Sequence, residues 1–201
     1  ELSALRGWLR DVDGCHLEIG TAAGGTLCFM MQCYPSSQRP PFVVVDTMAY
    51  FDNQLSIIKQ NLTNHGLDVG SVDFRVMTSE LAFSQAKAAG ERFGFILVDA
   101  SHKICHVLAD LRWMHLLNAG GVACLHDYSA KFKGVQWSVD RFLKRNPNYS
   151  RVGLIDSLIC VRKDSGSKKS EITLLDRIWA RLWAPLLQIE PSIKKRLGSI
   201  D

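Results

Sequence analysis

The sequence predicts an α/β fold: a doubly wound, mostly parallel seven-stranded sheet with helices on both faces and a C-terminal antiparallel β-hairpin. Three observations predict it. Short runs rich in Val, Ile and Leu alternate with helix-length amphipathic segments, which is how βαβ units read in a sequence. Five of those runs stop abruptly at polar residues, as buried strands do when they reach the rim of a pocket. The last two runs, "YSRVGLI" and "LICVRK", are separated only by Asp156-Ser157, too few residues for a crossover helix, so they must pair antiparallel.

Each element follows in order. Residues 15–19 are the first expected strand, then comes the turn "GTAAGG" and a helix carrying Leu27, Met30 and Met31 that stops before Pro35. "FVVVD", residues 42–46, is a second buried strand, and Leu55, Ile58 and Leu62 at helical spacing mark the next helix, ended by His65-Gly66. A third strand is expected at 73–77 and a helix at 81–89. "FGFILV" is the fourth strand, and Ile104, Val107, Leu108, Leu111 and Met114 share one face of the helix after it. Asn118 to Gly121 reads as a turn before a fifth strand at 122–125. A helix around 135–143 leads into the hairpin.

With 201 residues, 47% hydrophobic and 22% charged, the chain has enough apolar material for one sizeable core. No apolar run approaches the roughly 20 residues that a membrane span needs. Six cysteines lie singly, most of them inside apolar runs, with no CxxC pair; they read as small buried hydrophobes of a reducing, cytoplasmic protein. The net charge of +4 is unevenly placed: residues 1–161 carry 15 Lys/Arg and 15 Asp/Glu, and residues 162–201 carry nine basic against five acidic, an excess of four. A neutral body argues against a nucleic-acid-binding core. Residues 1–163 therefore read as one domain, and residues 164–201 as a polar linker, "DSGSKKSE", and a basic amphipathic helical tail.

Glu18, Asp46, Thr78-Ser79, Asp99 and His126-Asp127 all fall at the carboxyl ends of successive expected strands, where an open α/β sheet binds ligands. The first of these ends opens "LEIGTAAGGT", whose glycines let backbone approach a ligand at a helix start. A dinucleotide loop would read GxGxxG, and Ala22 breaks that fingerprint.

Glu18, Gly20 and Gly24 instead match the first motif of the class I S-adenosylmethionine-dependent methyltransferases, which the chain resembles. The resemblance implies a Rossmann-like fold and a loop of Glu18, Gly20, Thr21, Gly24, Gly25 and Thr26 that holds the cofactor. It also implies that Asp46 bonds the ribose hydroxyls, with Ser79 and Asp99 completing the cofactor site. The alternative for Asp46 is an ordinary turn or helix-capping residue. The stretch "VDASHKICHVLADLRWMHLLNAGGVACLHDY" is similar to the group that includes macrocin O-methyltransferases and cephalosporin-hydroxylase-like proteins. In its metal-using members an acid after strand four and a pair after strand five hold Mg²⁺. Carried over, Asp99, His126 and Asp127 would be metal ligands and His102 the catalytic base. His126 replaces a carboxylate of that pair, and a hard cation prefers oxygen, so the implied metal is Mg²⁺ with Mn²⁺ as the alternative. For His102 the competing reading is a helix-start residue of a "DASH" cap. Asp110 reads as a structural contact.

The function these features imply is O-methylation of a small-molecule hydroxyl, on a sugar or a glycosylated natural product, with S-adenosylmethionine as donor. The rivals are a metal-independent methyltransferase acting on oxygen or nitrogen, and a non-catalytic cofactor-binding module. In the tail, Ile172, Leu175, Ile178, Trp179, Leu182, Trp183 and Leu186 fall on one side of a helix, and Asp176, Arg177 and Arg181 on another. Such a helix docks onto its own domain or a second copy, or contacts a partner or a membrane surface.

Overall fold

The computed structural model describes residues 1–10, 12–164 and 172–197, with side chains of the last helix described as far as Leu187. Seven strands, β1 (His16–Ile19), β2 (Phe42–Asp46), β3 (Val72–Val76), β4 (Phe93–Val98), β5 (Leu117–Leu125), β6 (Tyr149–Ile155) and β7 (Leu158–Lys163), form one sheet in the order β3-β2-β1-β4-β5-β7-β6. β7 alone runs against its neighbours β5 and β6; the pairs among β1 to β5 are parallel. The order reverses between β1 and β4. Chain leaving those two strands departs in opposite directions, and the gap between the departures is the crevice an α/β sheet offers to a ligand.

Alternation along the strands builds a core on each face. Leu17, Ile19, Val43, Val45, Ile96 and Val98 point to one side, where α4 (Ser79–Ala88), α5 (Ile104–Asp110) and α6 (Lys133–Arg145) pack. Phe42, Val44, Phe95, Leu97, Val122 and Cys124 point to the other, covered by α1 (Leu2–Leu9), α2 (Gly25–Gln32) and α3 (Gln54–Asn64). All six cysteines are unpaired. No helix among the described residues is long and apolar enough to cross a membrane.

The expected elements are present, with corrections. Strand one begins one residue later, at His16, and strand three, Val72–Val76, lies one residue earlier than expected. Helix α1 was not anticipated; Leu5 and Leu9, one turn apart, hold it on the core. The segment expected as one helix through Met114 is α5 followed by a 3₁₀ stretch, Leu111–Leu116, which buries Trp113 completely. The turn expected at Asn118 to Gly121 lies inside β5, whose pairing with β4 shifts register between Phe93 and Phe95. Gly120 keeps the turn-like φ of +77°, so the local chemistry was read correctly while the strand continued past it as an irregularity.

After the linker, whose residues 165–171 lie outside the described residues, α7 (Leu174–Leu197) packs against α5 and α6. Thr173 and Asp176 cap its start reciprocally, each backbone N–H donating to the other's side chain. Asp176 is buried, and Arg141 and Arg145 of α6 reach it at 2.8 and 3.2 Å. Trp137 and Trp183 meet edge to face, with ring centroids 5.1 Å apart. The opposite face of α7, with Leu175, Ile178, Leu182 and Leu186, is exposed.

Candidate active site

A cavity of about 850 Å³ opens at the carboxyl ends of β1, β2 and β4, at the strand-order reversal. Its first wall is the β1–α2 loop. Gly20 has φ +80°, and a Cβ there would collide with the Asp99 carbonyl and stand 2.8 Å from Ala100 Cα. Only glycine allows the β1 and β4 ends to approach so closely. Gly24 also has positive φ, and a Cβ there would lie 3.0 Å from Ile58 Cγ2, so this glycine fits α2 against α3. The loop is tied from α3 as well: Gln54 Nε2 donates to the Ala22 carbonyl at 3.0 Å, and Asn61 Nδ2 to that of Ala23 at 2.9 Å. Those two amides were not singled out in the sequence, although seven residues is two helical turns and places them on one face of α3.

Asp46 ends β2 and lines the cavity. Its Oδ2 accepts from Thr21 N at 3.0 Å and its Oδ1 from Met48 N at 2.7 Å. The carboxylate thus fixes both its own turn and the glycine loop, and each oxygen keeps lone-pair capacity for a further donor. Glu18 is buried at the end of β1, with Oε2 lacking any hydrogen-bond partner. Burial pushes its carboxyl up to about 8; the Thr21 side chain opposes that rise, while Asp99 and Asp46 add to it. Of the residues expected at the cofactor, Gly20, Asp46, Ser79 and Asp99 line the cavity; Glu18, Thr21, Gly24, Gly25 and Thr26 do not.

Ser79 opens α4. Its hydroxyl oxygen accepts from Trp113 Nε1 at 2.9 Å. Asp110, also in the cavity wall, is buried, which raises its carboxyl to about 7 against the lowering effect of a hydrogen bond from Ser79.

The far wall collects the titratable groups. His102 Nε2 lies 2.6 Å from Asp127 Oδ2, and the His102 ring packs on Phe132 with centroids 4.2 Å apart. His126 Nδ1 stands 3.3 Å from both Asp99 Oδ1 and Asp127 Oδ2. Its other ring nitrogen faces Glu1 Oε2 at 3.1 Å, and Glu1 is itself held by the backbone N–H and hydroxyl of Ser157. Burial alone would lower the His126 imidazole, but Asp99, Glu1 and Asp127 outweigh it and raise it above the ordinary value. Asp99 is raised by burial, partly offset by His126. Asp127 reaches into this cluster from a left-handed backbone, φ +59°.

Ser101 Oγ takes a long 3.4 Å bond from Lys103 N and meets His106 Nδ1 at 2.9 Å, but no side chain caps the first turn of α5. The alternative expected from "DASH", an Asp and Ser capping this helix, is not formed.

Asp99, His126 and Asp127 each offer one ligand atom within 4.8 Å of the others, the grouping expected from the sequence. The buried His126 Nδ1 has no hydrogen-bond partner of acceptable geometry and faces two carboxylates. Two oxygens and one imidazole nitrogen fit a divalent cation of the Mg²⁺ to Mn²⁺ range.

The profile of a family described as a methyltransferase domain matches residues 17–128. No curated protein matches the chain. Among solved structures, the chain is similar to CalS11, a TDP-rhamnose 3'-O-methyltransferase of calicheamicin biosynthesis, with 15% identity over 80% of this chain and 76% of that one and a TM-score of 0.64. It is also similar to the O-methyltransferase of Bacillus cereus in complex with SAH (18% identity, 81% and 78% covered, TM-score 0.61). A third likeness is to TomG of Streptomyces achromogenes, an O-methyltransferase of tomaymycin synthesis in complex with SAM (17%, 82% and 78%, TM-score 0.62). At these identities the likeness is one of fold.

Proposed function

Since the chain belongs to the methyltransferase domain family, we propose that it is an S-adenosylmethionine-dependent O-methyltransferase acting on a hydroxyl of a small molecule, such as a sugar or a glycosylated natural product. The observation that carries the reading is the His102–Asp127 pair at 2.6 Å on the rim of the 850 Å³ cavity, opposite the glycine loop.

Asp46 has the chemistry to accept from the ribose hydroxyls. When bound, the cofactor supplies an electrophilic methyl group on sulfur. His102 receives the acceptor's proton. With Nε2–H donated to Asp127, the lone pair of His102 is on Nδ1, and a side chain 40% exposed is reachable from the cavity. Asp127 fixes the ring and stabilises the imidazolium that forms, as a carboxylate does for a histidine base. Asp99, His126 and Asp127 would hold a divalent cation, which, when bound, offers positive charge to the developing alkoxide.

A second reading drops the metal, and the same 2.6 Å bond favours it, because Asp127 Oδ2 is already engaged by His102. The test is labelled S-adenosylmethionine with mixtures of hydroxylated acceptors, followed by mass spectrometry, with and without chelator. Methylated product that disappears with chelator and returns with Mg²⁺ or Mn²⁺ supports the metal-assisted reading. Product indifferent to chelator supports the second. Cofactor binding without turnover on any acceptor would make the chain a binding module.

A further inference from the structure

Beside the cavity, between α4, α5 and α7, lies a smaller pocket of about 150 Å³ whose wall includes Arg112, Arg177 and Arg181. Glu80, Cys105 and Ala109 line both this pocket and the large cavity, so the two adjoin. Among the described residues, Glu80 is the only carboxylate in the small pocket's wall. The guanidinium of Arg112 lies over the Phe83 ring, 4.4 Å from its centroid, which holds it at the pocket. Arg177 and Arg181 are four residues apart on α7 and hence on one face.

Among the described residues, none of these three guanidinium groups has an ion pair or a hydrogen bond. The other arginines that pack on α7, Arg141 and Arg145, are both used by Asp176. Burial and the repulsion of Arg177 together lower Arg112 from its ordinary value, with Glu80 offsetting part of the effect. Three like charges facing one concavity make it attractive to an anion.

We propose that Arg112, Arg177 and Arg181 form a binding site for a phosphate group. Guanidinium forks match phosphate oxygens in geometry, and the three around this pocket outnumber the carboxylates among its described residues. Two sources present that chemistry. One is a soluble phosphorylated molecule whose remainder extends into the adjoining cavity. The other is a phospholipid headgroup, to which the exposed Leu175, Ile178, Leu182 and Leu186 would bring α7. The site stands apart from the methyl-transfer reading, since none of its arginines lines the large cavity.

The experiment uses the whole chain and two probes. Pyrophosphate is titrated calorimetrically into wild type, Arg112→Gln and Arg177→Gln, and flotation is measured with phosphatidylcholine vesicles with and without phosphatidic acid. S-adenosylhomocysteine is titrated into all three proteins as a control. The expected result is pyrophosphate binding that weakens about tenfold or more in each variant, with S-adenosylhomocysteine affinity unchanged. Flotation that requires phosphatidic acid and is lost in both variants, without pyrophosphate binding, assigns the site to a headgroup. The proposal is overturned if wild type binds neither probe, or if binding survives both substitutions undiminished. Failure to bind S-adenosylhomocysteine would count against the methyltransferase reading alone.

Discussion

Replacing Glu18 by glutamine should make the protein more stable relative to wild type as pH rises. The carboxyl ordinarily titrates at 4.5 and is pushed up to about 8 in the folded chain, chiefly by burial. Between those values the folded state keeps a proton that the unfolded state has released. Stability therefore falls with rising pH: the group costs nothing below 4.5, and its cost is complete only above about 8. At about 1.36 kcal/mol per pH unit, the wild type should lose about 3 kcal/mol between roughly pH 5 and pH 7.5 through this one group. Glutamine has nearly the same shape and no charge, so the variant lacks that slope. Urea denaturation of both proteins at several pH values measures the difference directly, because contributions from other groups cancel. A stability gap that stays constant within about 0.5 kcal/mol across the window would refute the assignment of a buried, protonated Glu18.

Gly20→Ala should destabilise by about 2–4 kcal/mol in thermal or urea melts, from the positive φ and the collision with the Asp99 backbone. Gly25→Ala meets nothing within 4 Å and should be neutral or slightly stabilising. His102→Ala should reduce turnover about a hundredfold or more, with S-adenosylhomocysteine affinity by calorimetry near wild type. Asp176→Ala should free α7 from α6, seen as protease cleavage within 174–187 before the domain melts, because it removes the bonds from Arg141 and Arg145 and the Thr173 cap.

The strands were legible because most are buried on both faces, which writes them as continuous apolar runs; where those runs stop, the rim of the cavity begins. Asp46, Asp99, His126 and Asp127 were legible for the same reason, being the polar ends of such runs, and Gly20 and His102 follow within a few residues of two of them. What the sequence did not show is which of these groups bond to each other. His102 and Asp127 were expected in separate roles, as base and metal ligand, and the structure joins them at 2.6 Å. That contact depends on Asp127 adopting a left-handed backbone at φ +59°, a conformation that a strand-end aspartate only sometimes takes. The partners of Asp176 were hidden for a similar reason. A helical wheel groups Asp176 with Arg177 and Arg181, but a wheel contains only one helix, and the pairing that buries Asp176 comes from Arg141 and Arg145 on another. Once α6 takes the aspartate, the two α7 arginines lose the acid beside them. They face Arg112 without a partner. Local pattern thus placed the charges correctly along the chain, while tertiary packing decided which charges were neutralised and which were left to meet a ligand.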